Sequence, residues 1–229
     1  MIQVRLCVLF SGGKDSCMAL HKSAEYHEVA CLVSIISENP ESYMYHTPNI
    51  NVAELQAEAM GLPLIRKTSK GVKEEELGDL RDAICRARDE YGIEGVVTGA
   101  IESVYQAQRI QDICSQLDLW CFNPLWLADQ EGLMRDVISS GFKAIISGAF
   151  AYPLGKEWLG RLIDDDALAE LLELRTSFGI SPSGEGGEIE TTVLDAPFFH
   201  KYINIVEASP EWDGDSGVYR ITRAELMDK

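Results

Sequence analysis

Short apolar runs alternate with longer amphipathic segments over the first 125 residues of this 229-residue chain. In residues 72–91, apolar side chains recur every three or four positions, which is the spacing of a helix with one buried face. Runs rich in Val, Ile and Leu separate such segments and predict buried strands. The predicted strands are residues 4–10, 30–36, 62–67, 95–99 and 119–122, and the predicted helices are residues 15–27, 52–60, 72–91 and 104–117.

Strands that alternate with helices are typical of a parallel sheet with helices on both faces. We therefore expect an α/β fold with a doubly wound parallel sheet of five strands, whose ligand lies beyond the carboxyl ends of the strands. After residue 125 the pattern loosens and predicts a smaller α+β domain, so we expect two closely packed domains, 1–125 and 126–229. The predicted elements of the second are helices near 129–140, 155–162 and 167–178, a strand at 142–147, a loop at 181–188 and a hairpin of strands 202–207 and 217–222.

The charge balance narrows the class of partner. Lys and Arg number 20 against 37 Asp and Glu, which gives a net charge of −17. Because Lys and Arg supply most of the affinity for phosphate backbones, we expect no nucleic-acid partner. No apolar run approaches the roughly 20 residues of a membrane span, and no segment has the pattern of a signal peptide. These features predict a cytoplasmic protein with no membrane partner, and six cysteines without a C-x-x-C pair predict reduced thiols.

The strongest chemical signal is a glycine-rich loop between the first predicted strand and the first predicted helix. Its sequence is Ser11, Gly12, Gly13, Lys14, Asp15 and Ser16. Two glycines let backbone N–H groups turn toward an anion, and the start of a helix adds partial positive charge. Lys14 supplies a cation, the two serines supply hydroxyls, and Asp15 could bind Mg²⁺ bridging to a phosphate. A turn that only caps the helix would explain the glycines but not the whole hexapeptide.

This hexapeptide resembles the phosphate loop of the N-type ATP pyrophosphatases, which have a HUP-like fold and cleave ATP between the α and β phosphates. The resemblance implies that residues 1–125 form the nucleotide-binding domain and that ATP and Mg²⁺ are used, with Asp15 as the metal ligand. It also implies that adenine lies at the end of the second strand, near Ile36 and Ser37. Gly99 would approach the ribose or phosphates, although a simple strand-to-helix turn explains this glycine equally well.

Four further segments, residues 37–49, 99–106, 158–164 and 184–191, resemble the diphthine–ammonia ligase (diphthamide synthetase) family. Ile189 departs from the aromatic residue expected in the last of these segments. The resemblance implies ATP-dependent amidation of the diphthine carboxylate on translation elongation factor 2. Ammonia would attack an acyl-adenylate, and the products would be diphthamide, AMP and pyrophosphate. No glutaminase domain fits beside the two domains, so free ammonia or ammonium is the expected nitrogen source.

The same resemblance implies the roles of the site residues. The expected catalytic residues are Lys14, Asp15, Glu185, Glu188 and Glu190. Diphthine carries a trimethylammonium group, which aromatic rings and carboxylates can bind. The glutamates could serve this group, ammonium or Mg²⁺, and these roles stay open. The expected substrate-binding residues are Tyr43, Tyr45, His46, Thr47, Asn49, Tyr105, Gln106, Trp126, Glu185 and Glu188.

Simpler interpretations exist for several of these residues. His46 could be a surface imidazole, the glutamates a solvated turn, and Tyr105 and Trp126 core aromatics. Arg161 could pair with Asp164, and the acids 164–166 could mark a helix N-terminus.

Two alternative functions also remain open. The first is a tRNA-modifying, thiolating enzyme of the same loop family, which the acidic charge and the absence of a cysteine pair disfavour. The second is an ATP-sensing module without turnover, which would bind ATP but release no pyrophosphate.

Overall fold

The first half of the chain forms a parallel sheet of five strands. The computed structural model describes residues 3–39, 49–72 and 75–229. The strands are β1 (Arg5–Leu9), β2 (Glu28–Ser37), β3 (Leu64–Ser69), β4 (Gly95–Val97) and β5 (Trp120–Phe122). Their order in the sheet is β3-β2-β1-β4-β5, with all neighbours parallel. The predicted five-stranded sheet is therefore confirmed.

Helices cover both faces of this sheet. They are α1 (Lys14–Ala24), α2 (Val52–Met60), α3 (Glu75–Tyr91) and α4 (Val104–Gln116). Successive residues of a strand point to opposite faces, so Leu6 and Val8 of β1 pack in a cluster with α1 and α2. Cys7, which lies between them, packs in a second cluster with α3 and α4. Two helices on each face make the sheet doubly wound, as predicted.

The strand order also determines where a ligand can lie. The chain passes from β1 outward to β2 and β3 and then crosses to β4 on the other side of β1. The segments that follow β1 and β4 therefore diverge and leave a crevice at the carboxyl ends of these strands. The glycine-rich loop follows β1 directly, so it lies at this crevice.

The second half contains an antiparallel sheet of four strands. Its elements are α5 (Gln130–Ser139), β6 (Lys143–Ala149), a 3-10 helix (Lys156–Trp158), α6 (Asp165–Phe178), β7 (Ile189–Asp195), β8 (Lys201–Asp213) and β9 (Ser216–Asp228). The order in the sheet is β7-β6-β9-β8. The α+β character is confirmed, and the hairpin is present with strands of 13 residues each, longer than predicted.

Two expectations for the second half were wrong. The sequence did not predict β7, which occupies an edge of the second sheet. The helix predicted at 155–162 is only a short 3-10 helix, Lys156–Trp158. Gly160 has a φ of +80°, and this left-handed conformation cannot continue a right-handed helix.

The start of α6 shows why acids cluster at residues 164–166. Asp164 is the N-cap, and its Oδ1 accepts a hydrogen bond from Ala167 N at 2.8 Å, so the predicted helix N-terminus is confirmed. Arg161 does not pair with Asp164 in the structure. Its two terminal nitrogens each donate to the Glu170 carboxylate at 2.7 Å.

One apolar cluster joins the two halves. It contains Leu6 and Met18 from the first half together with Leu133, Ile146 and Val193 from the second, which is the close packing expected. The division into domains 1–125 and 126–229 stays a prediction. All six cysteines are free. None of the helices within the described residues combines the length and apolar composition needed to cross a membrane.

Candidate functional site

A cleft of about 420 Å³ lies at the carboxyl ends of β1, β2 and β4. Its volume is in the range of small-molecule sites. The loop that precedes β7, together with the start of β7, forms the opposite wall, so both halves of the chain contribute. The cleft brings together many of the residues predicted from the sequence, namely Ser11, Gly13, Lys14, Asp15, Ser16, Gly99, Gln106, Glu185 and Glu190.

The glycine-rich loop is held by β7. Gly13 is the N-cap of α1 and has no side chain to accept a hydrogen bond. Instead, Lys14 N donates to Thr191 Oγ1 at 3.0 Å, and Val193 N donates to Gly12 O at 3.0 Å. Thr191 thus satisfies one of the N–H groups that a helix start leaves without a partner, and Val193 holds the carbonyl that precedes the helix. Sequence reasoning missed the role of Thr191, although this residue ends the quoted segment 184–191.

Lys14 is buried although it is charged. Its side chain is 2% exposed, and its Nζ donates to both carboxylate oxygens of Asp15 at 2.9 Å. The same nitrogen donates to the carbonyl oxygen of Ser183, in the loop of the second half. A buried ammonium needs such partners, because an unpaired charge costs several kcal/mol. Lys14 therefore links the glycine-rich loop to the loop that carries the glutamates.

Two glutamates of the second half face the cleft. Glu185 Oε1 accepts hydrogen bonds from Glu102 N at 2.9 Å and Ser103 N at 3.0 Å, at the start of α4. Burial raises the pKa of Glu185, and these two backbone bonds oppose the rise. Burial also raises the pKa of Glu190 to about 7; Lys14 partly offsets this effect, and the charge of Asp15 adds to it.

Glu188 lies behind the cleft wall. Its Oε1 accepts a hydrogen bond from Ser181 N at 2.8 Å. A Cβ added to Gly186, which lines the cleft, would lie 2.8 Å from the Glu188 carboxyl carbon. Glycine at position 186 therefore leaves room for this carboxylate. The structure does not bring Glu188 to the cleft with Glu185 and Glu190, and its predicted role stays a prediction.

Gly99 packs against the glycine-rich loop. A Cβ added at this position would lie 2.9 Å from Asp15 C and Ser16 N, so only glycine lets the end of β4 approach the start of α1 this closely. This contact supplies a structural reason for the glycine. An approach of Gly99 to the ribose or phosphates stays a prediction.

The β2 residues that line the cleft are Val33 and Ile35. Ile36 and Ser37 do not line it, and Ser37 Oγ donates instead to Asn39 O at 2.9 Å. Successive residues of a strand point to opposite faces, which explains why Ile35 lines the cleft and Ile36 does not. A contact between adenine and the backbone of Ile36 or Ser37 stays a prediction.

Several predicted substrate contacts lie away from the cleft. Asn49 binds β9, because its Nδ2 donates to Tyr219 O and its Oδ1 accepts from Ile221 N, both at 2.8 Å. Tyr105 packs under the Arg109 guanidinium, 3.5 Å from the ring centroid. Trp126 is 36% exposed and does not line the cleft. Tyr43, Tyr45, His46 and Thr47 lie outside the described residues, so the aromatic cage stays a prediction.

The cleft is acidic. Among the described residues that line it, Lys14 is the only Lys or Arg, whereas Asp15, Glu185 and Glu190 are acids. A polyphosphate would therefore need further positive charge. The described part of the chain holds no group of three or more His, Cys, Asp or Glu that could bind a metal alone. Mg²⁺ commonly takes one or two carboxylates and completes its shell with phosphates and water. Asp15 would supply one carboxylate, in exchange for one of the bonds that its oxygens accept from Lys14 Nζ.

A doubly wound α/β fold with a glycine-rich loop at the cleft defines a nucleotide-binding class of protein. Residues 4–120 match the family described as Diphthamide synthase N-terminal domain, and residues 129–227 match Diphthamide synthase C-terminal domain. The chain therefore belongs to the diphthamide synthase family, which confirms the resemblance noted in the sequence.

Curated relatives agree with this assignment. A diphthine–ammonia ligase of Rattus norvegicus is 36% identical over 226 residues, covering 90% of this chain and 84% of the relative. One of Danio rerio is 34% identical over 250 residues, covering 99% and 98%. Among solved structures, the U34-tRNA thiolase NcsA from Methanococcus maripaludis shares 15% identity with this chain. The match covers 60% of this chain and 57% of the thiolase. Its TM-score of 0.39 is too low to support a functional comparison.

The raised pKa of Glu190 predicts a pH-dependent stability. The pKa is about 7 in the folded protein against an ordinary value of 4.5. Between these values the unfolded chain loses a proton that the folded protein keeps, so stability falls as pH rises through this window. Glu190→Gln removes the charge. We expect this variant to be more stable than the wild type at pH 8 and to lose that advantage at pH 4, as measured by urea unfolding.

The control is Glu173→Gln, which changes an exposed glutamate on α6. The stability of this control relative to the wild type should be the same at pH 8 and at pH 4. Equal differences between Glu190→Gln and wild type at both pH values would contradict the prediction.

Proposed function

We propose that this protein catalyses the ATP-dependent amidation of the diphthine carboxylate on translation elongation factor 2, with ammonia as the nitrogen source. Diphthamide, AMP and pyrophosphate are the products, and an acyl-adenylate is the intermediate. Membership of the diphthamide synthase family supports the reaction class. The names of the curated relatives support diphthine and ammonia as substrates.

The observation that carries the proposal is the meeting of two loops in one cleft. Lys14 of the glycine-rich loop is hydrogen-bonded to Ser183 in the loop that leads to Glu185 and Glu190. A nucleotide on the first loop and a substrate on the second would therefore lie side by side. An adenylating ligase requires this arrangement, because the substrate carboxylate must reach the α-phosphorus.

In the first step, a carboxylate oxygen of diphthine forms a bond to the α-phosphorus of ATP, and the bond to the bridging oxygen breaks. Negative charge then builds up on the departing pyrophosphate. Lys14 and the N–H groups of the glycine-rich loop stabilise this charge. Asp15 would hold Mg²⁺, which supplies the further positive charge that the acidic cleft lacks.

In the second step, ammonia attacks the acyl carbon, AMP leaves with the electron pair of its bond to that carbon, and the nitrogen loses one proton, which is released to solvent. The carboxylates of Glu185 and Glu190 line the wall opposite the glycine-rich loop. Their position suits the cationic groups of this reaction, the trimethylammonium of diphthine and the ammonium that delivers ammonia.

The direct test supplies ATP, Mg²⁺, ammonium and elongation factor 2 bearing diphthine. We expect the factor to change in mass by the replacement of a hydroxyl with an amino group, with one AMP and one pyrophosphate per event. Formation of ADP and phosphate would contradict the adenylation mechanism. Binding of ATP without pyrophosphate release would favour the ATP-sensing module, and amidation would have to be abandoned.

Lys14→Ala should remove the reaction, and because Lys14 is buried and links two loops, urea unfolding is measured beside the activity to show that the variant is folded. A desolvated cation that faces the departing pyrophosphate is worth on the order of 10² to 10³ in rate. The matched control is Lys22→Ala on the same helix, where the ammonium binds Asp136 at 2.9 Å on the surface. The measurement is pyrophosphate release at saturating ATP. A Lys14→Ala enzyme within tenfold of the control would refute the role of Lys14.

A further inference from the structure

Gln56 of α2 joins the glycine-rich loop to β7. Its side chain is fully buried, and its Nε2 donates to Gly12 O at 2.8 Å and to Val193 O at 2.7 Å. Because both partners are carbonyl oxygens, only the NH₂ group of the amide can face them. The orientation of Gln56 is therefore fixed by its neighbours.

These bonds fix the direction of one peptide group. Gly12 O accepts from Gln56 Nε2 and also from Val193 N at 3.0 Å. The peptide that joins Gly12 to Gly13 is planar and trans, so its N–H points opposite to its C=O. A carbonyl held by two donors therefore directs Gly13 N–H the other way, where it donates a long hydrogen bond of 3.4 Å to Ser11 Oγ. Both Gly13 and Ser11 line the cleft.

We propose that Gln56 is a positioning residue that aims the Gly13 N–H at the phosphates of ATP. It acts through the Gly12 carbonyl and touches no substrate. The inference rests on the proposed function only for the identity of the ligand, a nucleoside triphosphate. Two features of the loop support it.

The first feature is the glycine at position 12. Its φ is +80°, and a Cβ there would overlap Gln56 Oε1. Glycine at position 12 therefore allows both the positive φ of the turn and the close approach of the Gln56 side chain. The second feature is that Gln56 Oε1 is buried without a hydrogen-bond partner among the described residues. A buried unpaired acceptor is destabilising, so the amide is kept at this position at a cost that its two donated hydrogen bonds must offset.

The test separates positioning from stability. Gln56→Met removes both donors and keeps an elongated side chain that fills the space. We expect the dissociation constant for ATP with Mg²⁺, measured by calorimetry without ammonium or elongation factor, to rise about tenfold. The free energy of unfolding is measured in parallel, because the variant removes the unpaired oxygen but also takes a donor from Gly12 O and Val193 O.

Thr192→Val is the matched control, since it removes a buried hydroxyl from β7, the strand to which Gln56 is bonded. Alternation places Thr192 on the face opposite Thr191, and we expect ATP affinity within twofold of wild type. A folded Gln56→Met protein that also binds ATP within twofold of wild type would overturn the proposal. So would a loss of affinity that Thr192→Val reproduces.

A second measurement uses the wild-type protein and needs no variant to fold. With ¹⁵N-glycine labelling, inorganic pyrophosphate and Mg²⁺ should shift the Gly13 amide signal. A Gly13 signal that does not move when pyrophosphate binds would overturn the proposal. Neither measurement involves diphthine, so a failure of amidation with intact ATP binding would refute the proposed function alone.

Discussion

The attachment of the glycine-rich loop to β7 is the interaction on which the site depends. Gly12 and Gly13 let the chain turn but offer no side chains to hold the turn. The missing acceptor and donor come from Thr191 Oγ1 and Val193 N, some 180 residues away in the sequence. Because β7 follows the loop that carries Glu185, the same strand places the acidic wall of the cleft. A single set of hydrogen bonds thus brings the two halves of the site into register.

The attachment of the loop to β7 matters more because the cleft is acidic. The protein has a net charge of −17, and acidic residues also outnumber basic ones in the lining of the cleft. Lys14 is held by Asp15 and Ser183 rather than pointing freely into the cleft. In the proposed reaction, the aligned N–H groups of the loop and Mg²⁺ would therefore share with Lys14 the binding of a nucleotide's negative charge. Exact placement of the loop backbone matters for that reason more than it would in a basic cleft.

The first sheet and the glycine-rich loop could be predicted because their signals are local. Apolar runs marked the strands, and six adjacent residues marked the loop. The strand β7 escaped prediction because Glu190 and Thr191 serve the cleft and interrupt the apolar pattern of a buried strand. Gln56 gave no signal at all, since its partners Gly12 and Val193 are distant in sequence. The strands of the hairpin were predicted too short because the residues that extend them beyond the predicted ranges are mostly exposed and need not be apolar.

Native-state hydrogen exchange of two backbone amides tests the attachment most directly. Lys14 N and Val193 N both donate across the contact between the glycine-rich loop and β7. If the loop and the strand form one unit, both amides open together and exchange with the same free energy. An amide of Lys14 that exchanges at the rate of an open loop, while that of Val193 stays protected, would contradict this account.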